Sequence, residues 1–113
     1  MTVVSLKSAK IAKLNDLART AMGVASRVMQ TPGIRALSPE LQSRIREGVE
    51  NFNTFTRDND PHNEHDFGVF EVEGHRVMWK IDYYDRAVEY GSEDPSDPAQ
   101  TTRVLTIMLA SEY

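Results

Sequence analysis

The sequence contains no cysteine. Disulfides, thiolate metal sites and a cysteine nucleophile are therefore excluded within it. Long apolar runs are missing as well. No stretch approaches the roughly 18 residues that a membrane-spanning helix needs. Met1 to Lys13 alternates polar and basic positions without a signal-peptide core, so the chain is expected to be cytoplasmic and off the membrane. Aromatic residues make up 8% of the chain, with a single tryptophan. They do not interleave with bases as in single-strand nucleic-acid binders. Internal repeats and low-complexity tracts are also lacking.

What is present suits a folded chain. Of 113 residues, 40% are hydrophobic and 27% charged. Those proportions fit one globular domain spanning residues 1–113. The net charge is −4, and its distribution is uneven. Residues 58–113 hold most of the acids, whereas Lys7, Lys10, Lys13 and Arg19 make a modest basic patch near the start. The acidic half discourages direct nucleic-acid binding and favours a protein partner with a basic surface.

Hydrophobic periodicity outlines the elements. Ile11, Leu14, Leu17, Ala18 and Ala21 recur at helical spacing and predict an amphipathic helix over Ser8–Ala21 with that face buried. Ser26–Thr31, which runs into the turn signal Thr31-Pro32-Gly33, reads either as the helix continuing or as a short strand, and Gly23 and the β-branched residues favour the strand. Ser38 is a good N-cap, Pro39 fits the first helical position, and Leu41, Ile45, Val49 and Phe52 form one stripe. That helix is expected to end near Phe55.

Asp66 to Tyr84 reads as a β-hairpin around Glu73-Gly74. Counting outward pairs Val72 with His75, Glu71 with Arg76, Phe70 with Val77 and Gly68 with Trp79, and brings His65 towards Asp82. Phe70, Val72, Val77, Trp79, Ile81 and Tyr83 then share the core face, with Trp79 covering the bare backbone of Gly68. Arg86–Tyr90 reads as a further short strand or extended edge. In Gly91–Pro98, Gly, Ser, Pro and acids predict a loop. Asp97, Pro98 and Gln100 look like the start of a helix that runs on through apolar Val104, Leu105, Ile107, Met108 and Leu109 and is expected to be buried, a buried strand over Arg103–Ala110 being the alternative. The fold class is α+β: a small antiparallel sheet centred on the hairpin, packed by two or three helices.

One segment is chemically dense. Asp58-Asn59-Asp60-Pro61-His62-Asn63-Glu64-His65-Asp66 sets six ionisable groups within nine residues. Imidazole beside carboxylate suits a divalent transition metal, with His62, His65 and Asp66 as candidate ligands. Lys80, Asp82 and Tyr84 share one strand face and could line a polar pocket beside it. Yet Asp, Asn and Pro also build turns with no chemistry. The segment is neither a zinc-protease helix motif nor a calcium loop.

The chain also resembles a known family. Phe55 to Gly68 (F-x-x-D-N-D-P-H-x-E-H-D-F-G), Trp79 to Asp85 (W-K-I-D-Y-Y-D), Tyr90 to Tyr113 and Leu14-Asn15-Asp16 resemble small bacterial proteins classed as a domain of unknown function. Such proteins are often encoded on plasmids and other mobile elements. The resemblance supplies no catalytic residues; it implies an accessory role of mobile DNA.

Two readings follow. In one, a mobile-element protein binds a partner stoichiometrically through acids, with Glu89, Glu93, Asp94, Asp97, Asp58 and Asp60 as binding residues. The target would be a host defence complex, as for anti-CRISPR or anti-restriction proteins, and no cofactor is required. In the other, His62, His65 and Asp66 hold a metal for an enzyme.

Overall fold

The computed structural model describes residues 5–113. Three helices pack on one face of a four-stranded mixed sheet with strand order β1-β4-β3-β2, an α+β fold. The elements are α1 (Leu6–Thr20), β1 (Arg27–Gln30), α2 (Pro32–Arg35), α3 (Pro39–Glu50), β2 (Phe67–Val72), β3 (His75–Tyr84), β4 (Thr102–Leu109) and a closing 3-10 turn (Ala110–Glu112). Among the described residues, no helix is long and apolar enough to cross a membrane.

The hairpin has the register counted from Glu73-Gly74: Val72 opposes His75, Phe70 opposes Val77 and Gly68 opposes Trp79. Glu73 and Gly74 both have positive φ (48° and 84°), the mark of a type I′ turn, whose twist matches the strands. Trp79 is fully buried. A Cβ at Gly68 would collide with its indole, so the glycine is what allows the ring to approach the β2 backbone closely. Val77, Trp79 and Ile81 of β3 meet Leu105 and Ile107 of β4 on the helix side, closed by Ile34, Ile45, Val49 and Ala18.

The last expectation is corrected. Thr102–Leu109 is not a helix but the central strand β4, antiparallel to β3 and parallel to β1. The cap signal at Asp97 is real: its carboxylate accepts from the Ala99 amide at 2.9 Å and from the Gln100 amide nitrogen at 2.7 Å. It closes only one turn. Thr102, Val104, Thr106 and Ile107 then favour a strand, and apolar side chains on both sides suit a strand with neighbours at both edges.

Three smaller corrections follow. α1 is rotated from its expected face: Ile11, Ala12, Asn15, Ala18 and Arg19 are buried, whereas Leu17 is 51% exposed. α3 ends at Glu50, short of Phe55, because the chain turns at Asn51 so that Phe52 and Phe55 can reach Trp79. Arg86–Tyr90 is a turn containing Val88 at φ 57°, and the edge contact is a single bridge between Tyr84 and Gly91. The expected short strand is present as β1.

Candidate functional site

The polar motif folds onto α1 and β3. Asp60 is 4% exposed and organises the loop: its Oδ1 accepts from the backbone amides of Glu64 at 2.9 Å and His65 at 3.1 Å. Asn63 and His65 sit at φ 57° and 56°. Outside glycine that left-handed region is uncommon, and asparagine and histidine are among the residues that adopt it most readily. Asn59 takes the Thr56 amide on its side-chain oxygen and donates to the Thr54 carbonyl. This is the turn chemistry that the Asp and Asn residues imply.

His65 does not approach Asp82. Its Nδ1 lies 2.9 Å from Asp16 Oδ1, its Nε2 lies 3.8 Å from Asp60 Oδ2, and its ring stacks on Phe55 at 3.9 Å. Asp82 pairs instead with Lys80 at 2.9 Å, which raises the Lys80 pKa. Alternation puts both on the sheet face opposite the helices, away from the His65 loop.

Asn15, on α1, is fully buried. Its Nδ2 donates to the Glu64 carbonyl at 2.9 Å and to the Tyr83 hydroxyl at 2.8 Å, while its Oδ1 accepts from Arg103 Nε at 2.6 Å. The Tyr83 hydroxyl donates in turn to the Glu64 carboxylate at 2.8 Å. Burial pushes the Tyr83 pKa upward and the Glu64 carboxylate adds to it, while the Asn15 bond opposes; Tyr83 stays a neutral phenol. Burial lowers the Arg103 pKa. Arg103 also donates to the Pro95 carbonyl, which ties this network to the acidic loop.

One helical turn on, Arg19 donates to the carbonyls of Val49 (3.0 Å) and Phe52 (2.9 Å) at the end of α3, and to Asp16 at 2.7 Å. Its guanidinium lies 4.9 Å from the Trp79 ring centre and 5.3 Å from that of Phe55. Asn15, Arg19, Tyr83 and Arg103 were not singled out from sequence as site residues. For Asn15 and Arg19 the available signal was polar residues at helical spacing with Ile11 and Ala18.

The arrangement clamps loop, helix and sheet together. His62 is exposed, and Asp66 is half-buried with its carboxyl pKa raised by burial and then by Glu64. Among the described residues, no three His, Asp or Glu side chains come together as a metal-holding group.

The other acids lie elsewhere. Glu89, Glu93 and Asp58 are exposed, whereas Asp60 is committed inside its loop. Asp94 accepts from Ser96 and lies 3.4 Å from Lys7; the Ser96 hydrogen bond is the main cause of its lowered pKa. Gln100 and the Ala99 amide do the same for Asp97. The loop is pinned at both ends: the Asp85 amide donates to the Tyr90 carbonyl and the Ser92 amide to the Tyr83 carbonyl. Tyr90, between the exposed Glu89 and Glu93, is 73% exposed. It lines a cleft of about 440 Å³ with Asp85, Arg86, Gly91, Glu93, Ala99 and Gln100. Arg86 and neighbouring Pro98 also border a smaller cleft with the apolar residues Leu14, Leu17 and Val24, the last 91% exposed.

The sequence model of a family described as "Protein of unknown function (DUF3768)" matches residues 30–112. No curated protein and no solved structure matches the chain.

Proposed function

The chain belongs to the DUF3768 family of proteins of unknown function, and we propose that it works by stoichiometric binding of a protein with a basic surface, without turnover. The observation that carries this reading is Tyr90: a large aromatic, mostly exposed, framed by Glu89 and Glu93 on a loop held in place from below. Exposed tyrosines on ordered loops make good interface anchors, because little conformational freedom is lost on docking. The exposed glutamates would steer a cationic partner, and Leu17 and Val24 extend the contact with apolar area. The polar motif serves this surface indirectly, by holding α1 and β3 beneath it. The resemblance to mobile-element proteins favours a host defence complex as the target.

The test is site-specific photo-crosslinking from Tyr90 in lysate of the encoding organism, compared with the same probe at Glu47 on α3. The reading requires a Tyr90-specific adduct whose crosslinked peptides are lysine- and arginine-rich. It also requires loss of that adduct in a Glu89→Lys/Glu93→Lys background. Equal labelling from both positions, or an adduct indifferent to the charge reversal, contradicts it.

A further inference from the structure

The other side of the molecule presents an edge of the sheet. β1 pairs on its inner side with β4, where the Thr31 amide donates to the Ile107 carbonyl at 3.1 Å. In a parallel ladder, alternate residues turn both backbone groups to the neighbour and those between turn both away. The bond at Thr31 therefore leaves Val28 and Gln30 facing outward, each with an N–H and a C=O and, among the described residues, no strand beyond them. Unpaired groups of this kind template a further strand.

Charge singles this edge out. Val28, Met29 and Gln30 line a groove of about 480 Å³ together with Arg35 of α2 and Arg46 of α3. Neither guanidinium has a carboxylate partner among the described residues, and Arg27 on the strand itself has none either. Met29 is 58% exposed and offers apolar area on the opposite face of the strand.

We infer that the β1 edge is a second binding site, which takes an extended acidic segment of a partner protein as a fifth strand. The incoming backbone would lie about 4.8 Å from β1 and exchange hydrogen bonds with Val28 and Gln30. Its alternate side chains fall on the helix side, where carboxylates meet Arg35 and Arg46. A second copy of this chain is the wrong occupant for a symmetric β1–β1 pairing, because it would bring Arg27, Arg35 and Arg46 against their own equivalents. The site shares no residue with the loop around Tyr90 and does not depend on the reading of that loop.

The probe is a fluorescein-labelled peptide of alternating glutamate and valine, with a lysine-for-glutamate peptide as control, followed by anisotropy and by amide NMR shifts. The acidic peptide should saturate, the lysine peptide should not, and the largest shifts should be at the Val28 and Gln30 amides. Arg35→Glu/Arg46→Glu should weaken binding by about tenfold or more, the loss of two solvent-screened charge pairs. Gln30→Pro removes an outward N–H and leaves the β4 ladder intact, so it should abolish binding while the circular dichroism spectrum is kept. Failure to saturate, undiminished binding by either folded variant, shifts confined to other residues, or self-association through β1 would each overturn the inference.

Discussion

Replacing Asn15 separates hydrogen bonding from packing at the centre of the molecule. Asn15 is fully buried and makes three hydrogen bonds, one of them with the Arg103 guanidinium. Neutral hydrogen bonds contribute about 0.5–1.5 kcal/mol each and one to a charged group about 1.5–3. Asn15→Ala should therefore cost about 3–5 kcal/mol, a large share of the roughly 5–15 kcal/mol that holds a domain together. Asn15→Leu fills the space but still strands Arg103 Nε, so it should cost nearly as much. In Asn15→Leu/Arg103→Leu both partners go, and the loss should fall short of the sum of the single losses by about 1–2 kcal/mol. Urea unfolding followed by circular dichroism and by Trp79 fluorescence measures these variants together with Arg103→Leu, which completes the cycle. The reasoning fails if Asn15→Leu is within about 0.5 kcal/mol of wild type, or if the double variant is strictly additive.

Two further outcomes follow from the same structure. Gly68→Ala would set a methyl against the Trp79 indole and 2.8 Å from the Phe52 ring, so it should destabilise by about 1–3 kcal/mol and shift Trp79 emission. Asp66 has a folded-state pKa raised by burial, so its contribution is favourable below the unfolded value of about 3.9 and is lost as pH rises through the folded value. Asp66→Asn should accordingly melt higher than wild type at neutral pH, and the gap should close near pH 3, as read by thermal melts across that range.

The hairpin was legible because everything that specifies it is local. A two-residue turn fixes the register, and the alternation of Phe70, Val72, Val77, Trp79 and Ile81 fixes the face. β4 was misread because a helix start and a single capped turn look alike in sequence. What decides between them is the vacant place between β1 and β3, a long-range fact. The face of α1 was missed for a related reason. Arg19 and Asn15 look like solvent residues until Val49, Phe52, Tyr83 and Arg103 arrive from distant segments to hydrogen-bond with them. Of the candidate binding acids, Glu89 and Glu93 are as exposed as their loop composition implies. Asp60 is not, because turn chemistry claims it.

The central claim, charge-steered binding through the loop around Tyr90, is tested most directly by association kinetics of the crosslinked partner. Wild type and Glu89→Lys/Glu93→Lys would be compared from about 0.05 M to about 0.5 M salt, a range over which the screening length shortens from more than 10 Å to less than 8 Å. The account predicts one partner bound per chain and an association rate for wild type that falls steeply with salt. It also predicts a variant that is slow at every salt, with little change in dissociation. Salt-independent association shared by both proteins, or a partner inactivated through many turnovers by a trace of this one, would contradict it.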